Sequence, residues 1–149
     1  MPYANGIEVS DDGQEFYVAS SGLQKVLAFS NSNPSRLLRS SKAFSFIPDN
    51  LHMGNDGNLL TAGLEIVDPV CGDVPMSLEF DLEKFASCPR PFVVMAVDPQ
   101  SMQERVLASS PAHEHFSNIT MALEVGPELW IGTFAGDRIA YRTLKQSDD

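Results

Sequence analysis

The strongest constraint on this chain is a pattern that recurs three times along it. Each copy contains an Asn, an apolar run of strand length, a turn with Gly, and a second apolar run that leads to a small residue. The copies occupy residues 4–19, 49–63 and 117–132. Short apolar runs joined by Gly-containing turns predict β-hairpins. Their recurrence indicates a protein built from similar β units.

The residues that follow the first hairpin predict two more strands. Lys25–Ser30 has strand composition, and either residues 36–39 or residues 42–46 supply a fourth, outer strand. Asn5 and Asn50 are 45 positions apart (50 − 5), which is the length of a four-stranded propeller blade. We therefore predict an all-β fold, a single partial β-propeller domain of about three four-stranded antiparallel blades. Their approximate extents are 4–48, 49–116 and 117–149, and the third has only three strands in this chain.

The second unit contains an insertion over residues 64–90. Asn50 and Asn118 are 68 positions apart (118 − 50), so this unit is longer than the first by roughly 20 residues. Residues 76–87 predict a short helix with Leu78, Leu82 and Phe85 on one face. Packing of that face against the sheet is the favoured interpretation, and a lid over one end of the sheet is the alternative.

Two cysteines, Cys71 and Cys88, lie within the insertion. A disulfide that closes this loop is one interpretation, and two unpaired thiols are the interpretation that the sequence favours. No metal-binding Cys or His motif, phosphate-binding Gly loop or nucleophile elbow occurs in the sequence. The chemistry must therefore be sought in the repeat itself.

Charge and hydropathy exclude several classes of partner. Ten basic against 20 acidic residues give a net charge of −10, which repels nucleic acid and anionic membrane surfaces. We expect neither as a partner. The N-terminus lacks a basic region followed by an apolar one, so we expect no signal peptide and, by default, a cytoplasmic location.

The order of these motifs resembles a known superfamily. Residues 4–7, 10–13 and 16–19, the pair Asp49 and Asn50, and residues 129–133 and 138–141 are similar to regucalcin, the gluconolactonases, strictosidine synthase-like proteins and the paraoxonase/arylesterases. The resemblance implies a six-bladed β-propeller with calcium in an axial channel, and many members are lactone or ester hydrolases. This chain matches the C-terminal half, so a missing N-terminal half or assembly of a homo-oligomer is expected.

The same resemblance implies the metal ligands. Asn5, Asp49 and Asn50 match calcium-binding positions of the paraoxonase branch. Independently, the inner strands of a propeller begin at one face, so Asn5, Asn50 and Asn118 should converge there and offer the oxygen atoms that Ca²⁺ prefers. Structural roles in turns are the alternative for Asn5, Asp49 and Asn50.

No catalytic residue can be assigned. A hydrogen-bonded core position is the favoured interpretation for His52, and a solvated loop is favoured for His113 and His115. Contact of His113, His115 and Asn118 with substrate is the functional alternative. Two functions follow: a calcium-dependent hydrolase of a small lactone or ester, in which water attacks a metal-polarised carbonyl, or a non-catalytic binding or assembly module, including a metal-free strictosidine synthase-like protein.

Overall fold

A computed structural model describes residues 1–74 and 81–144 of the chain, and these residues form three antiparallel sheets. The strands are β1 (Ala4–Val9), β2 (Glu15–Ser20), β3 (Lys25–Ser30), β4 (Leu37–Ser40), β5 (Leu51–Met53), β6 (Leu59–Leu64), β7 (Phe92–Val97), β8 (Glu104–Ser110), β9 (Ile119–Val125), β10 (Glu128–Thr133) and β11 (Ala140–Thr143). A single helix, α1 (Leu82–Ser87), lies between β6 and β7 in the described part. The predicted all-β partial propeller is confirmed.

Each sheet is a meander, which we call a blade. Blade 1 has the order β1-β2-β3-β4, blade 2 has β5-β6-β7-β8, and blade 3 has β9-β10-β11. The first strands of consecutive blades, β1 and β5 and then β5 and β9, contact each other. They are therefore the inner strands, and the later strands of each blade extend outward from them.

The first hairpin of every blade turns at a glycine. Gly13, Gly57 and Gly126 all have a positive φ, between 57° and 77°. Side chains other than Asn and Asp rarely adopt this left-handed conformation, so these positions favour glycine. The three predicted hairpins therefore form because their turn residues suit the required backbone.

Blade 2 is the centre of the core because β6 and β7 are buried on both faces. Alternate residues along a strand point to opposite faces of its sheet. One set packs against blade 1 and comprises Leu59, Val93, Met95 and Val97. The other set packs against blade 3 and comprises Leu60, Ala62, Phe92, Val94 and Ala96.

The insertion differs from expectation in its covalent structure. Cys71 and Cys88 form a disulfide, so the prediction of unpaired thiols is wrong. The pairing depends on the insertion folding back on itself, which sequence separation does not reveal. Of the predicted helix, α1 is present, while Leu78 lies outside the described residues. No helix in the described part is long and apolar enough to cross a membrane.

Candidate metal and ligand site

The starts of β1 and β5 meet at Gly6. Its backbone N–H donates to the Asp49 carbonyl at 2.9 Å. A Cβ added to Gly6 would lie 2.4 Å from the Leu51 nitrogen and 2.5 Å from the Asp49 oxygen, both of them backbone atoms. Only glycine permits this approach. The contact brings Asn5 next to Asp49, as the repeat predicted.

A chain of hydrogen bonds fixes the orientation of Asn5. The Ser21 hydroxyl donates to the Pro48 carbonyl at 2.7 Å, so its oxygen is free to accept the Asn5 Nδ2–H at 3.3 Å. The Asn5 side chain also interacts with the Asp49 carboxyl and lowers its pKa. Because the amide nitrogen of Asn5 serves as the donor, its Oδ1 is the atom left to bind something else.

Asp49 is a partly buried carboxylate. Burial raises the pKa of the Asp49 carboxyl to about 6, although the interaction with the Asn5 side chain opposes the shift. Asp49 takes part in none of the ion pairs found in residues 1–74 and 81–144. A carboxylate that is removed from water without a cation is electrostatically unfavourable, so binding of a cation there would be favoured.

Asn50 connects this position to the third inner strand. Its backbone N–H and its Nδ2 both donate to the Thr120 carbonyl, at 3.1 and 3.2 Å. These bonds leave the Asn50 Oδ1 as the available atom of its amide. We call Asn5, Ser21, Asp49 and Asn50 the inner-strand cluster.

The donor set of the inner-strand cluster suits a hard cation. It offers a carboxylate from Asp49 and amide oxygens from Asn5 and Asn50, which are the oxygen ligands that calcium takes. No group of three or more His, Cys, Asp and Glu side chains in the described part could hold a metal ion. The cluster therefore fits calcium better than zinc, and it would supply part of the six to eight oxygen ligands that calcium takes.

Asn118 does not join the cluster through its side chain. Its Oδ1 accepts the Arg90 backbone N–H at 3.1 Å, and its Nδ2 donates to the Ala86 carbonyl at 3.0 Å. The residue is almost fully buried. Asn118 thus anchors the insertion to blade 3, and the expectation that its side chain converges with Asn5 and Asn50 is wrong.

The predicted histidines occupy the loop that leads into β9. His113 and His115 are exposed, and the His115 backbone N–H donates to His113 Nδ1 at 3.1 Å. A cavity of about 370 Å³ lies between this loop and the β10–β11 loop. It is lined by Glu114, His115, Phe116, Ser117, Ala135, Gly136, Asp137 and Arg138. His115 borders this cavity, whereas His113 is not part of its lining.

The cavity carries charges of both signs. Arg138 pairs with Asp137 through an Nε to Oδ1 contact of 2.7 Å, and this contact with a cation lowers the pKa of the Asp137 carboxyl. His115 contributes to the same lowering. A ligand bound in the cavity would therefore contact imidazole, guanidinium and carboxylate groups.

Sequence reasoning missed two features near these sites. Ser21, which orients Asn5, lies in the turn between β2 and β3, and its sequence context indicates no role beyond that turn. Arg90 is buried, its guanidinium lies 5.5 Å from the Phe85 ring centre, and its Nη2 donates to the Cys71 carbonyl.

His52 is half-buried and its Nε2 has no hydrogen-bond partner in the described part, so the predicted hydrogen-bonded core position is wrong for that atom.

Comparison with known proteins supports the fold. No protein-family model and no curated protein matches the sequence. Among solved structures, a luciferin-regenerating enzyme superposes with a TM-score of 0.52 at 16% identity, over 87% of this chain and 36% of that chain. The oligogalacturonate lyase of Vibrio parahaemolyticus gives a TM-score of 0.56 at 11% identity, over 93% of this chain and 40% of that chain.

These similarities define the class of fold as a β-propeller. This chain spans about two fifths of each of the two propeller enzymes it resembles. At such low identity the likeness concerns the backbone arrangement and carries no activity with it.

Proposed function

We propose that this chain forms part of a calcium-dependent propeller hydrolase that acts on a small ester or lactone. One observation carries the proposal: two adjoining inner strands bring together a partly buried carboxylate, Asp49, and two amides whose nitrogen atoms are already engaged. These bonds leave two amide oxygen atoms, those of Asn5 and Asn50, next to the unneutralised carboxylate of Asp49, and a divalent cation would take all three groups as ligands. The resemblance to calcium-dependent lactonases leads to the same positions.

The residues of this chain would have three tasks. Asn5, Asp49 and Asn50 would hold the ion, and Ser21 would keep the Asn5 oxygen directed toward it. When bound, calcium would polarise the substrate carbonyl and favour attack by water. His113, His115 and Asn118 were the residues expected to contact substrate, and of these His115 has the most suitable position, because it lines the cavity beside the β9 loop.

The test is a calorimetric titration of calcium into metal-stripped protein, with the unfolding temperature measured in parallel. A ligand that binds only the folded state must raise that temperature. We expect one site in the wild-type protein and loss of binding, by at least about tenfold in affinity, in Asp49→Ala. Asp11→Ala, in the exposed turn of the first hairpin, is the matched control and should bind as wild type does.

A calcium-binding result would justify a screen of aryl esters and lactones in the presence and absence of chelator. Unchanged affinity in Asp49→Ala would remove the proposed site even if calcium binds elsewhere. No binding by wild type would leave the metal-free binding or assembly module as the better function.

A further inference from the structure

Consecutive blades of the chain pack against each other through opposite faces of their sheets. The face of blade 1 that contains Tyr17 and Val26 packs on blade 2, and the face of blade 2 that contains Leu60 and Val94 packs on blade 3. A blade thus has a forward face, toward the next blade, and a backward face, toward the preceding one. In the described residues, the backward face of blade 1 and the forward face of blade 3 lack a neighbouring blade.

The backward face of blade 1 is apolar along all four strands. The strand register shows which side chains lie next to each other on this face. Val9 pairs with Phe16, Phe16 with Phe29, and Phe29 with Leu37. Phe16 and Phe29 are stacked with ring centres 5.3 Å apart. Ile7, on the same face, is 63% exposed and Leu37 is 57% exposed. A monomeric soluble protein rarely leaves so continuous an apolar face in water.

The forward face of blade 3 is similarly apolar. Leu123 pairs with Trp130, and Trp130 pairs with Tyr141, so the three share one face. The Trp130 and Tyr141 rings stack with centres 5.2 Å apart, yet Tyr141 is 61% exposed. Aromatic side chains of this kind are enriched in protein interfaces.

We propose that a second copy of this chain covers these faces, with the forward face of blade 3 in one copy packed on the backward face of blade 1 in the other. The contact continues the relation that already joins consecutive blades within the chain. Because the two faces differ, the association is head to tail, and two such contacts close a ring of two copies. Each face has one charged residue among its strand positions, Lys25 on blade 1 and Glu128 on blade 3. The register places the two at opposite ends of the blade, so apolar contact rather than charge pairing favours this association.

This arrangement does not depend on calcium, and it is tested by mass rather than by metal binding. Light scattering coupled to size-exclusion chromatography should give twice the chain mass of 16.3 kDa for the wild-type protein. Ile7→Lys and Tyr141→Lys should each give the mass of one chain, because each places a charge in both contacts of the ring. Val70→Lys, at an apolar residue that is 87% exposed in the insertion, is the matched control and should remain dimeric.

Mixing the two variants tests the head-to-tail geometry. One copy with Ile7→Lys retains its blade 3 face, and one copy with Tyr141→Lys retains its blade 1 face. The mixture should therefore recover a dimer through one intact contact, weaker than the wild-type dimer because the other contact carries both lysines. Circular dichroism of each variant should match that of the wild type, since both positions are exposed. A wild-type mass of one chain at all concentrations, or a dimer that only one of the two variants disrupts, would overturn the proposal.

Discussion

Ionisation of the Asp49 carboxyl is unfavourable in the folded protein. The carboxyl is partly buried, and burial raises its pKa from 3.8 to about 6 even though an interaction with the Asn5 side chain lowers it. A raised pKa in the folded state means that folding favours the protonated form. The metal-free protein should therefore lose stability as the pH rises through the window between these two values.

We predict that Asp49→Asn removes this loss. Below about pH 3 the variant and the wild type should have similar free energies of unfolding, because Asp49 is then mostly protonated in both states of the wild type. Above about pH 7 in chelator, the variant should be more stable by about 1–2 kcal/mol, after allowance for solvent screening. Urea unfolding of both proteins from about pH 3 to pH 8 measures the difference. Equal stability at pH 8 would mean that Asp49 is well solvated.

The sequence predicted where the candidate site residues lie to the extent that they follow the repeat, and their role as metal ligands stays a prediction. Asn5, Asp49 and Asn50 lie where the repeated strand starts place them. Asn118 begins the third copy of the motif, but its backbone is left-handed, with a φ of 55°, and its side chain bonds to the insertion. Asn tolerates this conformation, but Asn5 and Asn50 do not adopt it at the same place in the motif, so the motif alone does not specify it.

At the scale of elements, hairpins were predictable and longer connections were not. The strands of the three hairpins have strong apolar periodicity and glycine turns, which act locally. β4 is an outer strand with mostly exposed residues, so the sequence did not distinguish residues 36–39 from residues 42–46 as this strand. In the structure Leu37–Ser40 is the segment that pairs with β3. The disulfide and the anchoring of α1 involve tertiary contacts that periodicity cannot reveal.

We predict that the disulfide stabilises the insertion without stabilising the blades. Its cysteines are 17 positions apart, and loops of this size contribute about 3 kcal/mol in the chain-entropy account. The contacts of the insertion with blade 3 include the hydrogen bonds of Asn118 and a ring stack of Phe85 on Phe134. Changing Cys71 and Cys88 together to serine should speed amide exchange in residues 81–90 by up to about 100-fold.

Hydrogen exchange followed by mass spectrometry provides that measurement. β6 and β7 serve as the internal control, since both strands are buried on both faces and should retain wild-type protection. Faster exchange throughout all three blades would show instead that the disulfide supports the whole fold. Unchanged exchange in α1 would show that its contacts with blade 3 suffice.

At the scale of the whole molecule, the net charge and the two apolar end faces have opposing effects on association. Each copy carries a net charge of −10, so two copies repel one another through solvent. The apolar faces favour contact, and burial of apolar surface does not require charge pairing. Added salt shortens the screening length from about 30 Å at 0.01 M to about 10 Å at 0.1 M, which weakens the repulsion.

We therefore predict that sodium chloride strengthens the proposed dimer. Between 20 and 200 mM salt, the dissociation constant measured by analytical ultracentrifugation should fall several-fold, because screening reduces the repulsion between the two negative copies. Ile7→Lys should stay monomeric at both salt concentrations, since its lysine would remain buried against an apolar face in the dimer. Association that weakens as salt rises would indicate contacts between opposite charges. Such contacts would place the interface away from the faces of Ile7 and Tyr141.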